Sequence, residues 1–473
     1  MSKIVFISPP LTSEEMYGKL ALGGSNEALL GICYLAAVVR DNNLNVEIID
    51  MPALNLNYDE VVNMLIKKNP RYIGFTSVTL AIYNAAKLAE MIKEKIPNVI
   101  ILIGGAHITA TPKETMSKFH QFDIGVIGEG ETVIVDLLNA LENDLPLQGV
   151  RGIIFRENNK IIDTGPATLI KDLDELPMPA WDLLPDISKN YTPTLYAVRR
   201  SPSFSLITSR GCAFQCTFCD RSVFGNKYRM HSPEYIIAMI KDLYFSYGIR
   251  DIRFNDDEFM LSKKRTKKLC EYIVEEKLDF SWSCLARASS IDADILRIMK
   301  KAGCWQIRYG IESGSQMVLD TINKGITLEQ VERAVSLTKQ EGIKSIGFFM
   351  MGLPKETIQT IRETIDFAKK LKLDDFKINY FAPLPGSQLY SDLSKYGKAN
   401  LDWRELHFHV KPSFIPYGLT EGDLIKLNKL AFKEFYLRPR IILSYPFKTK
   451  YFFRNIKALV KGGTALINHY YRK

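Results

Sequence analysis

Short apolar runs alternate with amphipathic stretches along most of this 473-residue chain, and they fall into two series. In the first series the runs are KIVFISP, NVEIID, YIGFTSV, NVIILIGG and FDIGVIGEG. Stretches such as NEALLGICYLAAVVRDN and AIYNAAKLAEMIKEKI, apolar at helical spacing, lie between them. Near-continuous apolar strands with amphipathic helices between them predict a parallel sheet covered on both faces. Residues 1–150 therefore read as a Rossmann-like, doubly wound α/β domain. The second series, FSLITS, DIRFND, FSWSCLA, CWQIRYGIE, SIGFFMMG and DDFKINYFAPL, falls within residues 201–390 and predicts a partial (β/α)6 barrel.

Residues 151–200 carry a hairpin pattern, GVRGIIFRENNKIIDTG, and then a stretch in which Pro177, Pro179, Pro185 and Pro193 interrupt regular structure, which reads as a linker. Residues 391–473 read as a small α-rich region in which Trp403, His407 and His409 are candidate substrate contacts. Charge changes the picture only there. The formal net charge of +9 resides entirely in residues 431–473, interleaved with Phe and Tyr, and the remainder is neutral. A basic, aromatic tail suits peripheral contact with an anionic membrane surface, or a helix packed on the barrel. With no run of 18 apolar residues, no spanning segment is expected. With no recognisable nucleic-acid module, no nucleic-acid partner is expected. Seven cysteines, an odd number without a signal-peptide pattern, point to a reducing cytoplasm.

The chemistry concentrates in SRGCAFQCTFCDRS, where Cys212, Cys216 and Cys219 have C-x3-C-x2-C spacing. Three close thiolates can hold three irons of a cubane cluster and leave the fourth open. A structural zinc site would want a fourth ligand at knuckle distance, and none follows. Other chemistry-bearing residues recur where barrel strands end: Asp256, Asp257 and Glu258, then Arg287, then Glu312 and Ser313, then Gly352 in MGLPKET. Carboxyl ends of barrel strands are where functional loops converge. In the first domain the equivalent ends carry Ser77 and Thr79, then Gly104, Gly105, His107 and Thr109, then Gly128, Glu129 and Glu131. Glycines there let a planar ligand approach the backbone. The first strand is followed by ISPPLTS rather than G-x-G-x-x-G, so a dinucleotide is disfavoured.

These motifs together resemble the radical S-adenosylmethionine (radical SAM) enzymes that carry an N-terminal cobalamin (B12)-binding domain. The resemblance implies a [4Fe-4S] cluster on Cys212, Cys216 and Cys219, with SAM on the fourth iron. It places Phe218 against the adenine, Asp256 and Asp257 near the methionine amino group, Glu312 and Ser313 near the ribose and amino acid moiety, and Gly352 beside the adenine. It places cobalamin against Ser77, Thr79, Gly104, Gly105, His107, Thr109, Gly128, Glu129 and Glu131. Where many B12 proteins have D-x-H-x-x-G, this chain has Asp50-Met51-Pro52, so base-off, His-off binding is expected. The implied activity is methylation of an unactivated carbon, fed by a reductant such as flavodoxin or ferredoxin. A radical cyclase and a non-catalytic iron–sulfur sensor are the alternatives. The substrate, a small molecule or a lipid, is left open.

Overall fold

The computed structural model describes residues 3–12, 15–16, 26–191 and 198–441. The first sheet is built from β1 (Lys3–Ser8), β2 (Asn45–Asp50), β3 (Tyr72–Thr76), β4 (Ile100–Gly104), β5 (Ile124–Val126), β6 (Ile153–Glu157) and β7 (Lys160–Asp163), in the order 2-1-3-4-5-6-7. The first five are parallel, as the apolar runs require. Alternate residues of β1 serve opposite faces: Val5 and Ile7 join one apolar cluster, Ile4 and Phe6 the other. The hairpin at 151–165 does not stand apart with the linker. β6 and β7 add antiparallel to β5 and complete this sheet, because Ile153, Ile154 and Phe155 are as apolar as the strands they join.

The second sheet holds β8 (Ser203–Leu206), β11 (Asp251–Phe254), β12 (Ser281–Ala286), β13 (Cys304–Glu312), β14 (Lys344–Met351) and β15 (Asp375–Tyr380), all parallel and in sequence order. Its curl is a six-stranded partial barrel with β8 and β15 at its edges. Between β8 and β11, β9 (Ser209–Arg210) pairs antiparallel with β10 (Arg229–Met230). This two-residue ladder closes the base of the loop that carries the three cysteines.

The proline-rich segment is a packed strap. Ala180 N donates to Cys33 O in the first domain, while Trp181 Nε1 donates to Asp242 Oδ2 at 2.7 Å on the barrel helix Pro233–Ser246. Past the barrel, β16 (Gly397–Ala399) and β17 (Phe414–Pro416) form a small hairpin, and the helix Glu421–Tyr436 returns to the barrel. There Phe435 stacks on Phe376 at 4.8 Å, and Tyr436 Oη donates to Phe376 O. The first part of the basic, aromatic tail is thus barrel packing; residues 442–473 lie outside the described residues. No described helix is long and apolar enough to cross a membrane.

Candidate functional site

At the barrel mouth the loop after β8 presents Cys212 half-buried, Cys216 buried and Cys219 exposed. Among the described residues no three Cys, His, Asp or Glu side chains converge as ligands of a single ion would. A cubane needs no such convergence, since each thiolate takes a different iron. Burial, reinforced by the Asp257 charge, pushes the Cys212 thiol up, and a coordinated cation is what would deprotonate it. Arg287, just past β12, donates from Nη1 towards Cys216 Sγ at 3.8 Å and lies over the Phe214 ring. Its Nε and Nη2 are buried without an acceptor. Unspent donors beside thiolates suit a sulfur-rich anionic centre, whose potential they would raise.

The neighbouring strand ends divide into groups that are free and groups that are already used. Asp257 is exposed at the mouth. Asp256, expected beside a ligand amino group, is buried instead: its carboxylate accepts from Thr208 N at 2.7 Å, Ser209 Oγ at 2.6 Å and Thr208 Oγ1. It anchors the strand that leads into the cysteine loop. Ser313 is likewise spent on Thr364 Oγ1 at 3.0 Å and on Ser315 N, with no exposed surface to meet a ribose. Glu312, at the end of β13, holds φ +68, a strained setting for glutamate, and accepts from Lys324 Nζ at 2.7 Å. Lys324 Nζ also lies 5.7 Å from the Phe218 ring centroid. Glu312, Lys324 and Phe218 are therefore brought together beside the cysteines. Gly352 takes φ +86, and its N–H, with that of Leu353, donates to Glu356 Oε2 at 2.6 and 2.9 Å. Full burial pushes the Glu356 carboxyl up to about 8.

In the first domain a cavity of about 270 Å³ opens at the ends of β3, β4 and β5. Its walls include Gly104, Gly105, Gly128, Gly130, Glu129 and Glu131, and it is closed from the barrel side by Arg210, Val223 and Phe224. A Cβ at Gly104 would find its nearest atom 3.9 Å away, so this glycine leaves space in the cavity itself. Gly105, at φ +101, has no room: a Cβ would sit 2.8 Å from Ser77 O. Such a cradle fits the edge of a bulky planar ligand.

Four residues expected in that wall lie behind it. Thr109 Oγ1 donates to Gly105 O at 2.8 Å and accepts from Gly128 N at 3.1 Å, so it ties two cavity loops together. Ser77 accepts at its carbonyl from His107 N, and Thr79 Oγ1 meets His107 Nδ1 at 3.2 Å. His107 has no exposed surface and stands edge-on to Trp403 at 4.3 Å. Burial holds its pKa down to about 4, so it is a neutral packing residue. Trp403 in turn is committed to this contact rather than to substrate. Asp50 caps the helix Met51–Leu54 and accepts from Tyr191 Oη at 2.8 Å, with Pro52 in the first turn.

Comparison with known proteins agrees with both halves. Residues 206–368 match the radical SAM superfamily and residues 24–138 the B12 binding domain. The chain is 35% identical to an uncharacterised methyltransferase of Pyrococcus horikoshii over 99% of both proteins. The chain belongs to the cobalamin-binding-domain radical SAM enzymes. It is also 28% identical to the anaerobic magnesium-protoporphyrin IX monomethyl ester cyclase of Rubrivivax gelatinosus, over 91% of this chain and 78% of the cyclase. In fold it matches the cobalamin-dependent radical SAM enzyme OxsB, with TM-score 0.75 and 19% identity over 98% of this chain and 72% of OxsB.

The two sites of this radical SAM enzyme meet where Arg210 and Arg229, which the sequence motifs did not mark, reach Glu129 and Glu131, which they did. Arg210, two residues before Cys212, donates from Nη1 to Glu129 Oε1 at 2.8 Å and from Nη2 to Glu131 Oε1 at 2.6 Å. Arg229 donates to Glu129 Oε2 at 2.6 Å, and Ile170 N adds a fourth bond. The Glu129 side chain is wholly buried, and the two arginines hold its carboxyl below the usual range against the opposing effect of burial. Glu129 and Glu131 thus face the cavity but spend their charge on the barrel. The signal available was position: Arg210 directly precedes the Gly-Cys of the cysteine motif.

Proposed function

We propose that this enzyme methylates an unactivated carbon of a small-molecule substrate. In this reading Cys212, Cys216 and Cys219 hold a [4Fe-4S] cluster, Phe218, Asp257, Glu312 and Gly352 border SAM, and cobalamin sits base-off and His-off in the glycine-lined cavity. The carrying observation is that Arg210 belongs to both sites, lining the cavity while standing two residues from the first cysteine. The bound groups supply the hard chemistry, a 5′-deoxyadenosyl radical to remove hydrogen and a methyl-carrying corrin. The protein orients and shields. Arg287 steadies the charge of the sulfur-bound centre, Lys324 neutralises Glu312, and the strap and the Arg210 pairs hold the two sites in register. His-off binding is supported by Pro52 in the D-x-H position and by the burial of His107 under Trp403. Exposed Cys219 marks where a flavodoxin or ferredoxin would deliver electrons.

Cyclisation is the second reading, supported by similarity to the Rubrivivax cyclase. The test is anaerobic reconstitution with iron, sulfide and hydroxocobalamin, then SAM and a reductant. Methylation predicts retained corrin absorbance and both 5′-deoxyadenosine and S-adenosylhomocysteine, with both products abolished in Cys216→Ala. Release of 5′-deoxyadenosine with no S-adenosylhomocysteine would instead select cyclisation.

A further inference from the structure

The lumen of the barrel differs from the packed interior that closed barrels show. Along β13, Tyr309 and Ile311 are wholly buried against the surrounding helices, so Arg308 and Gly310 face inward. Closed barrels fill their lumen with layers of branched apolar side chains. Here the inward residues nearest the strand ends, Asn255, Leu285, Arg308, Phe348 and Met350, keep partial exposure. The deeper inward residues Ser205, Arg253, Ser283, Gln306 and Ile346 are buried, and the outward neighbours Phe254, Cys284, Tyr309 and Phe349 keep at most 1%. The upper part of the lumen is within reach of solvent.

Two guanidinium groups stand in it. Arg253 is matched: Nη1 pairs with Glu27 Oε1 at 3.0 Å, and Nη2 donates to Ser205 Oγ at 3.1 Å. Arg308 is not. Its Nη2 donates to Phe254 O at 2.9 Å and Asn255 Oδ1 at 3.0 Å, both neutral acceptors, and among the described residues no carboxylate lies within ion-pair distance. The Nε atoms of both arginines are buried without an acceptor. Burial pushes the Arg308 guanidinium down to about 10, with the Arg253 charge adding to the effect and Cys284 and the Glu27 carboxylate opposing it, and leaves it cationic at neutral pH. Two strands away, the exposed Lys377 shares the face of Phe348 in the β14–β15 register. Glu27, whose Oε2 accepts from Asn255 Nδ2, is already paired with Arg253, so two guanidinium groups share one carboxylate. An arriving anion would balance the second, and the planar fork of arginine suits a carboxylate or phosphate.

We infer that the barrel lumen contains an anion site built on Arg308, with Arg253 beside it and Lys377 on the same face of the sheet, that takes a carboxylate or phosphate group of the substrate. The inference rests on reading the barrel as the reaction chamber, and it restricts the substrate to anionic small molecules. SAM also carries a carboxylate, so the test separates the two sources. Inorganic phosphate and acetate are titrated calorimetrically into the full-length protein at constant ionic strength, with and without SAM. Wild type should bind at least one of them saturably. Arg308→Gln should weaken that binding roughly tenfold or more, and Arg308→Lys, which keeps the charge but not the fork, by about threefold. SAM affinity should stay within about twofold in both, since the site is assigned to another ligand. Lys377→Gln, an exposed change that leaves the core intact, should weaken phosphate or acetate by about twofold. Absence of saturable binding in wild type, unchanged binding in Arg308→Gln, or competition between phosphate and SAM would each overturn the assignment. The phosphate and acetate titrations without SAM need neither cluster nor corrin, and the SAM arm uses protein reconstituted with its cluster. A protein that binds phosphate but retains no corrin refutes methylation and keeps the anion site, and the converse result does the opposite.

Discussion

The cavity of the first domain and the chamber of the barrel both open at the carboxyl ends of parallel strands, but they are furnished in opposite ways. The cavity wall is glycine, and the polar groups behind it are mostly spent on one another: Thr109 bonds two loops, Thr79 meets His107 Nδ1 while His107 Nε2 has no partner, and Glu129 takes three donors. The barrel keeps more unspent groups, among them the Nε and Nη2 of Arg287, the Nε atoms of Arg253 and Arg308, and Oε1 of Glu356. A site shaped by missing side chains selects by form, and a site with unsatisfied charge selects by chemistry. The first suits a large carrier held throughout turnover. The second suits charged reactants that come and go.

The comparison is broken most forcefully where the two regions are joined. Arg210→Met leaves Glu131 and one oxygen of Glu129 buried without a partner, which should cost about 3–5 kcal/mol in denaturant unfolding. Adding Glu129→Gln and Glu131→Gln should restore part of that loss. If Arg210→Met unfolds with wild-type stability, the pairs are not what couples the domains.

A smaller effect sharpens the contrast in how each region recognises its ligand. Gly104→Leu projects into the cavity without a backbone clash, so corrin retention after gel filtration should fall by about tenfold or more while stability changes by about 1 kcal/mol. SAM cleavage by the cluster should persist. Parallel loss of both would mean that the cavity and the cysteine site are not separable.

The smallest effect is a pH dependence confined to the barrel. Glu356 has an ordinary value of 4.5, and burial raises it to about 8 in the folded chain. The folded state then binds the extra proton between those values, so this residue's contribution to stability falls as pH rises through that window and levels off above it. Glu356→Gln should flatten the dependence of unfolding free energy on pH from 5 to 8 by at most about 1 kcal/mol per pH unit. An unchanged slope would show that Glu356 is not the group responsible.

Periodicity and spacing in the sequence were enough for the two parallel sheets, the cysteine loop and the position of residues at strand ends, because burial on both faces demands apolar runs and cluster binding demands three close thiols. They also carried the family. What they could not carry was the use of each polar group. Asp256 and Asp257 are adjacent and chemically identical, yet one is buried under Thr208 and Ser209 and the other faces the mouth. His107 looked like a cavity residue until Trp403, nearly three hundred positions later, was seen to cover it. Glu129 and Glu131 looked like ligand contacts until Arg210 and Arg229 arrived from the second domain. The backbone pattern is local and is written in each segment. Whether a carboxylate or an imidazole is free depends on which donors the rest of the chain brings within 3 Å, and only the tertiary structure decides that.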